Sequence, residues 1–131
     1  MKQNSICRFA SLTGIVFTLV ATLSSASFAE TSDEIEGKYN VAMKCGIDMG
    51  ALTIMAQRIN DKKLEAAFEA ATERSMRETV SLGAKLGKSE SEVMAEFKKT
   101  GEFYAKIENY SERVIESTTT FCAPEILPLL K

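Results

Sequence analysis

No proline stands between residues 30 and 123; the only two in the chain are Pro124 and Pro128. Proline interrupts a helix because it lacks a backbone donor and clashes with the preceding turn. This whole stretch is therefore free to be helical. Strand signals are poor within it. β-Branched residues do not alternate with polar ones, and no Asn-Gly or Asp-Gly hairpin turn occurs. The expected fold class is all-α: a small bundle of three to four helices closed by one disulfide.

Helix punctuation sets the boundaries. Thr31 with Glu34 forms a capping box at the start of the first helix, with Asp33 and Glu36 as an alternative frame. Ile35, Tyr39, Met43 and Ile47 recur every four residues, and Val41, Cys45, Leu52, Met55 and Ile59 add a second apolar stripe. So apolar a helix is expected to be the central one. Asn60-Asp61 ends it and caps the next. A second helix is expected from Lys62 to Leu86, burying Leu64, Phe68, Ala71, Ser75, Thr79, Leu82 and Leu86, with Gly87 as its left-handed cap. Ser89-x-x-Glu92 opens the third, with Val93, Met94 and Phe97 inward. Gly101 either divides that helix or is a weak point of about 1 kcal/mol relative to Ala. Beyond it, Phe103, Ile107, Tyr110, Val114, Ser117 and Phe121 form the next seam, which stops at Pro124. Exposure of Ile126, Leu127, Leu129 and Leu130 would be costly, so this tail is expected to lie across the bundle.

The first 29 residues have a different character. Lys2 and Arg8 precede an uncharged, largely apolar run from Phe9 to Leu23, then small residues through Ala29. That is the pattern of a secretory signal peptide cut before Glu30. The run falls short of the roughly 20 apolar residues that span a bilayer. Cys7 precedes it and so is not a lipid-bearing cysteine of the kind that follows such a run. The expected organisation is a cleaved leader, 1–29, and one α-helical domain, 30–131, exported to the periplasm or secreted, with no membrane anchor after cleavage. The whole chain carries a net charge of −2, and the cut removes two bases and no acid. Without a basic stripe, nucleic acid is not an expected partner.

Two cysteines then remain, Cys45 and Cys122. In an exported small domain an even pair argues for a disulfide. Closing a loop of this size is worth about 4–5 kcal/mol in the chain-entropy model, less any strain. Two buried free thiols are the alternative. A metal site is disfavoured because two isolated cysteines without histidine cannot complete four ligands.

The chain has no histidine at all. This excludes Ser-His-Asp and Cys-His catalysis, His-ligated zinc and haem, and a histidine pH switch. Met43, Met49 and Met55 suggest a copper site, but six-residue steps turn successive side chains to different sides of a helix. Lys44 and Asp48, four apart, are expected to pair on a helix surface; a buried Asp48 held by Lys44, Arg58 or another helix is the alternative. Arg58, Arg74, Arg77 and Arg113 follow no spacing that defines an active site, so neither a catalytic set nor a cofactor is expected.

The most unusual feature is Ala42-x-x-x-Gly46-x-x-x-Gly50, a stripe of small residues on one helix face. Two helix-interior glycines cost about 2 kcal/mol in propensity, which a close approach must offset. That approach is either another helix of the same chain or a protein partner, including a second copy. The expected function is that of an exported, non-enzymatic helical protein that binds another protein, of inhibitor, immunity or stress-chaperone type. The alternative is a helical carrier of a small apolar ligand, with Tyr39, Phe68, Phe97, Phe103 and Tyr104 lining its pocket. A small exported enzyme is a third class.

Overall fold

Each turn between helices is built by a residue that tolerates the left-handed region. Asn60, Gly87 and Asn109 have φ of 56°, 77° and 55°. In the computed structural model, which describes residues 29–131, they separate four α-helices: α1 (Ser32–Arg58), α2 (Lys62–Lys85), α3 (Glu90–Ala105) and α4 (Tyr110–Cys122). A 3₁₀ segment, Pro124–Leu130, completes the chain. The expected leader, apart from Ala29, lies outside the described residues.

The first two turns share one construction. The Asp61 amide donates to the Ala56 carbonyl and the Asn60 amide to Gln57, while the Lys88 amide donates to Gly83 and the Gly87 amide to Ala84. These paired bonds close a helix on a left-handed residue. Asp61 then begins α2, its carboxylate accepting from the amides of Lys63 and Leu64. Thr31 with Glu34, and Ser89 with Glu92, form the expected reciprocal capping boxes of α1 and α3.

α1 and α2 form an antiparallel pair, and their contact carries two apolar clusters. One gathers Met49, Leu52, Ala56, Leu64, Phe68 and Ala71 with Val114, Ala123 and Ile126. The other joins Tyr39, Ala42, Met43 and Ile47 to Leu82 and Val93. α4 and the 3₁₀ segment cover the first cluster, and α3 covers the second. The tail packs as its composition requires, with Ile126 buried and Leu129 and Leu130 partly buried against the core. Cys45 and Cys122 are joined by a disulfide, their Cα atoms 5.4 Å apart. Among the described residues, no helix is long and apolar enough to cross a membrane.

Several side chains depart from expectation. Gly101 does not divide α3; the break comes at residues 106–109, and α4 opens on Asn109 without a side-chain cap. Across it, Ile107, Tyr110 and Val114 of the expected seam are buried or half-buried. Phe103, Ser117 and Phe121 are exposed, and the inward face of α4 is Tyr110, Val114, Thr118 and Thr119. Thr118 bonds to Asp48 and Cys122 to Cys45, so polar and covalent anchors set the last turns of α4, where apolar spacing points to Ser117 and Phe121 instead. Met94, Val41 and Ile59 also point outward. On α2 all seven expected positions are buried or half-buried.

Candidate functional site

The small-residue stripe of α1 leads into a groove. Gly46 is buried because the Phe97 ring of α3 lies on it, and an added Cβ would overlap that ring. The neighbour that approaches the stripe there is thus a side chain rather than a second backbone. One turn further, a Cβ on Gly50 would meet nothing within 4 Å. Gly101, on the opposing wall, is equally open. The space between is a groove of about 650 Å³, bounded by Gly46, Gly50 and Ile54 of α1, by Phe97, Gly101 and Tyr104 of α3, and by residues 107–112. Ile54 is half-exposed on its edge, and Arg58, Lys98, Glu108 and Glu112 also line it. Ala42 lies further along α1, in the core against α2 and α3.

Of the five aromatics expected around one pocket, only Phe97 and Tyr104 line this groove. Phe68 and Tyr39 are core residues of separate clusters, and Phe103 is exposed. Phe103 precedes Tyr104 on α3 and turns outward, its ring edge-on to that of Tyr104 with centroids 5.4 Å apart.

Beside the groove lies a polar cluster that helix spacing only half describes. Asp48 is 2% exposed, so its pairing with Lys44 is not on the surface. Lys44 Nζ donates to both carboxylate oxygens at 2.5 and 2.6 Å. Tyr110 donates to Oδ1 of Asp48, and Thr118 to Oδ2 at 3.0 Å. Lys44 also donates to Tyr110 Oη at 2.5 Å and lies over the Tyr104 and Tyr110 rings, 4.6 and 5.1 Å from their centroids. Those two rings are stacked with centroids 5.0 Å apart. Burial, followed by the hydrogen bond to the Asp48 carboxylate and its charge, raises the Tyr110 hydroxyl pKa far above the ordinary range. Tyr110 therefore stays a neutral donor, and the cluster fixes one wall of the groove.

A second cluster of lysine, carboxylate and tyrosine holds α3 to α1. Tyr39 donates to Glu96 at 2.6 Å, and Lys88 donates to both Glu96 oxygens at 2.6 and 2.8 Å while lying over the Tyr39 ring. The Lys88 hydrogen bond, then that of Tyr39, lowers the Glu96 pKa. Burial, then the Glu96 bond and charge, raises that of Tyr39.

Among the described residues no group of three or more His, Cys, Asp or Glu side chains is placed to hold a metal ion. Met43 and Met49 are buried and Met55 is half-buried, each at its own place along α1. Arg74 pairs with Glu125 and Arg77 with Glu73 on the exterior, away from Arg58 in the groove. No protein-family model, curated protein or solved structure matches this chain.

Sequence reasoning missed the roles of three residues. Tyr110 and Thr118 complete the Asp48 site from α4, and their only signal was the lone acid in the apolar middle of α1, which required donors from elsewhere. Gly83 of α2 was also passed over. An added Cβ there would lie 2.5 Å from Val93 and 3.3 Å from Tyr39, so glycine lets α3 and α1 meet over α2.

Proposed function

We propose that this chain is an exported, non-enzymatic helical protein that acts by binding another protein, with the groove between α1 and α3–α4 as its working surface. The observation that carries this reading is the groove's construction. Gly50 and Gly101 leave side-chain-sized space on opposing walls, while Phe97, Tyr104 and Ile54 supply apolar contact. Such a surface suits the apolar face of a partner helix, whose large side chains fill what the glycines leave empty. Because the buried polar cluster holds the wall at Tyr104 and Tyr110, little ordering is required on binding. Glu108 and Glu112 near Arg58 and Lys98 give the lining both charge signs, which sets the register of a charged partner rather than its affinity.

The volume also falls in the range of small-molecule pockets, roughly 300–1,000 Å³. The groove is open to solvent, however, and the expected aromatics do not converge on it, so the protein partner is the better fit. Export is supported by the leader pattern together with the disulfide. N-terminal sequencing of the exported form should begin at Glu30; a start at Met1 in the membrane fraction would replace export with anchoring.

The test of binding is affinity capture from a periplasmic extract of the source organism, with Gly50→Leu as control. A Cβ at 50 meets nothing within 4 Å, so a leucine there places its side chain in the space the glycine leaves open. A protein held by the natural chain and lost with Gly50→Leu supports the reading. Equal capture by both, or none by either, overturns it, and a small apolar molecule seen in native mass spectra would establish the carrier instead.

A further inference from the structure

We propose that the Cys45–Cys122 bridge is a thiol-exchange site of the folded protein, opened by a dithiol reductant that attacks Cys122 Sγ. The two cysteines are not equally sealed. Cys45 is buried and Cys122 is half-buried. Both line two surface hollows, one of about 500 Å³ bounded by α1, α2 and α4 and one of about 420 Å³ between α1 and α4. Val41 and Phe121 stand on the rim of both, 45% and 71% exposed. Two hollows thus reach the bridged residues, beside the exposed Val41 and Phe121 side chains. Thiol–disulfide exchange needs access of this kind, because the attacking thiolate must reach a sulfur and expel the other.

Opening the bridge does not require unfolding, because the end of α4 is held by other means. Thr118 bonds to the buried Asp48, and Ala123 and Ile126 lie in the core. Arg74 donates to the Cys122 carbonyl at 3.3 Å and pairs with Glu125 at 2.6 Å. The reduced thiols therefore remain neighbours and the bridge can close again. In the step itself, a thiolate of the reductant bonds to Cys122 Sγ, the Sγ–Sγ bond breaks, and Cys45 leaves as a thiolate that takes up a proton. The second thiol of the reductant then attacks its own sulfur in the mixed disulfide and expels Cys122, which is protonated in turn. Two electrons pass to the bridge and the dithiol becomes a disulfide.

The experiment exposes the purified protein to dithiothreitol at neutral pH, with thiols counted by alkylation and helix content followed by circular dichroism. The expected result is a reduction rate that rises about tenfold for a tenfold rise in reductant, with helix content retained. Reduced glutathione, which lacks a second thiol on the same molecule, should give an adduct that peptide mapping places on Cys122. Oxidised glutathione should restore the bridge. A rate that levels off at the rate of global unfolding, helix loss in step with reduction, or an adduct on Cys45 would overturn the proposal.

Discussion

The molecule joins a lysine, a carboxylate and a tyrosine twice, in two different settings. Lys44, Asp48 and Tyr110 join α1 to α4; Lys88, Glu96 and Tyr39 join α3 to α1. In both, a tyrosine donates to a carboxylate that a lysine also holds, and the ammonium lies over a tyrosine ring. The difference is which group is buried. Asp48 is enclosed and takes a fourth group, Thr118, whereas the Glu96 side chain is 43% exposed. A buried carboxylate depends on its donors, because losing one leaves charge without solvation. An exposed carboxylate exchanges them for water at little cost. The α4 contact is therefore fixed by its polar groups, and the α3 contact by packing around Gly46, Gly83 and Val93.

The largest effect that separates the two should come from Asp48→Ala, which leaves Tyr110 and Thr118 without their acceptor. A loss of about 3 kcal/mol in urea unfolding is expected, short of a fully buried pair because Lys44 can reach water. If Asp48→Ala and Glu96→Ala proved equal, burial would not be what distinguishes the clusters. Next, Gly46→Leu should drive Phe97 off α1 and cost about 1–3 kcal/mol through overpacking. Gly50→Ala, four residues away in open space, should instead gain several tenths of a kcal/mol or more from helix propensity. A common sign for the two substitutions would overturn this account of the stripe. Glu96→Ala should cost less than about 1 kcal/mol, given its exposure.

The smallest effects lie in pH. Glu96 titrates below its ordinary value of 4.5, so its contribution is complete above that pH and is lost as pH falls through the folded-state pKa. Tyr110 titrates above 10.0, so its contribution is complete below that pH and is lost as pH rises beyond it. Thermal melts across pH should show a flatter acid limb for Glu96→Gln and a flatter alkaline limb for Tyr110→Phe. The opposite assignment of limbs would sink the comparison.

What could be read from the sequence was what local physics decides. The α2 face from Leu64 to Leu86 was legible because 3.6-residue spacing over a long helix leaves one solution. Thr31, Asp61, Gly87 and Ser89 were legible because a helix end needs a specific donor, acceptor or backbone angle. The disulfide followed once the expected leader set Cys7 aside, which leaves one pair to make. Residues 103–121 were not legible in the same way. Their apolar spacing continues smoothly across residues 106–109, where the chain breaks, and it finds Tyr110 and Val114 but not Thr118 and Thr119. Which face of α4 turns inward is decided by Asp48 and Cys45, residues more than sixty positions away. The groove was half visible: glycines at 46 and 50 marked the face, but the spacing could not say that one would be filled by Phe97 and the other left open.

The bridge also decides how the molecule would carry a mechanical load. Tension applied at the two ends of the described chain enters at Cys45 and leaves at Cys122, crossing the covalent link rather than the loop between them, a sequence separation of 77. Only residues 29–44 and 123–131 can be drawn out, to roughly 85 Å at full extension. Every residue lining the groove, from Gly46 to Glu112, lies inside the bypassed loop. A partner seated there would be held by a surface that pulling on the ends leaves unstretched for as long as the bridge is closed, and reduction would place that surface in the line of force.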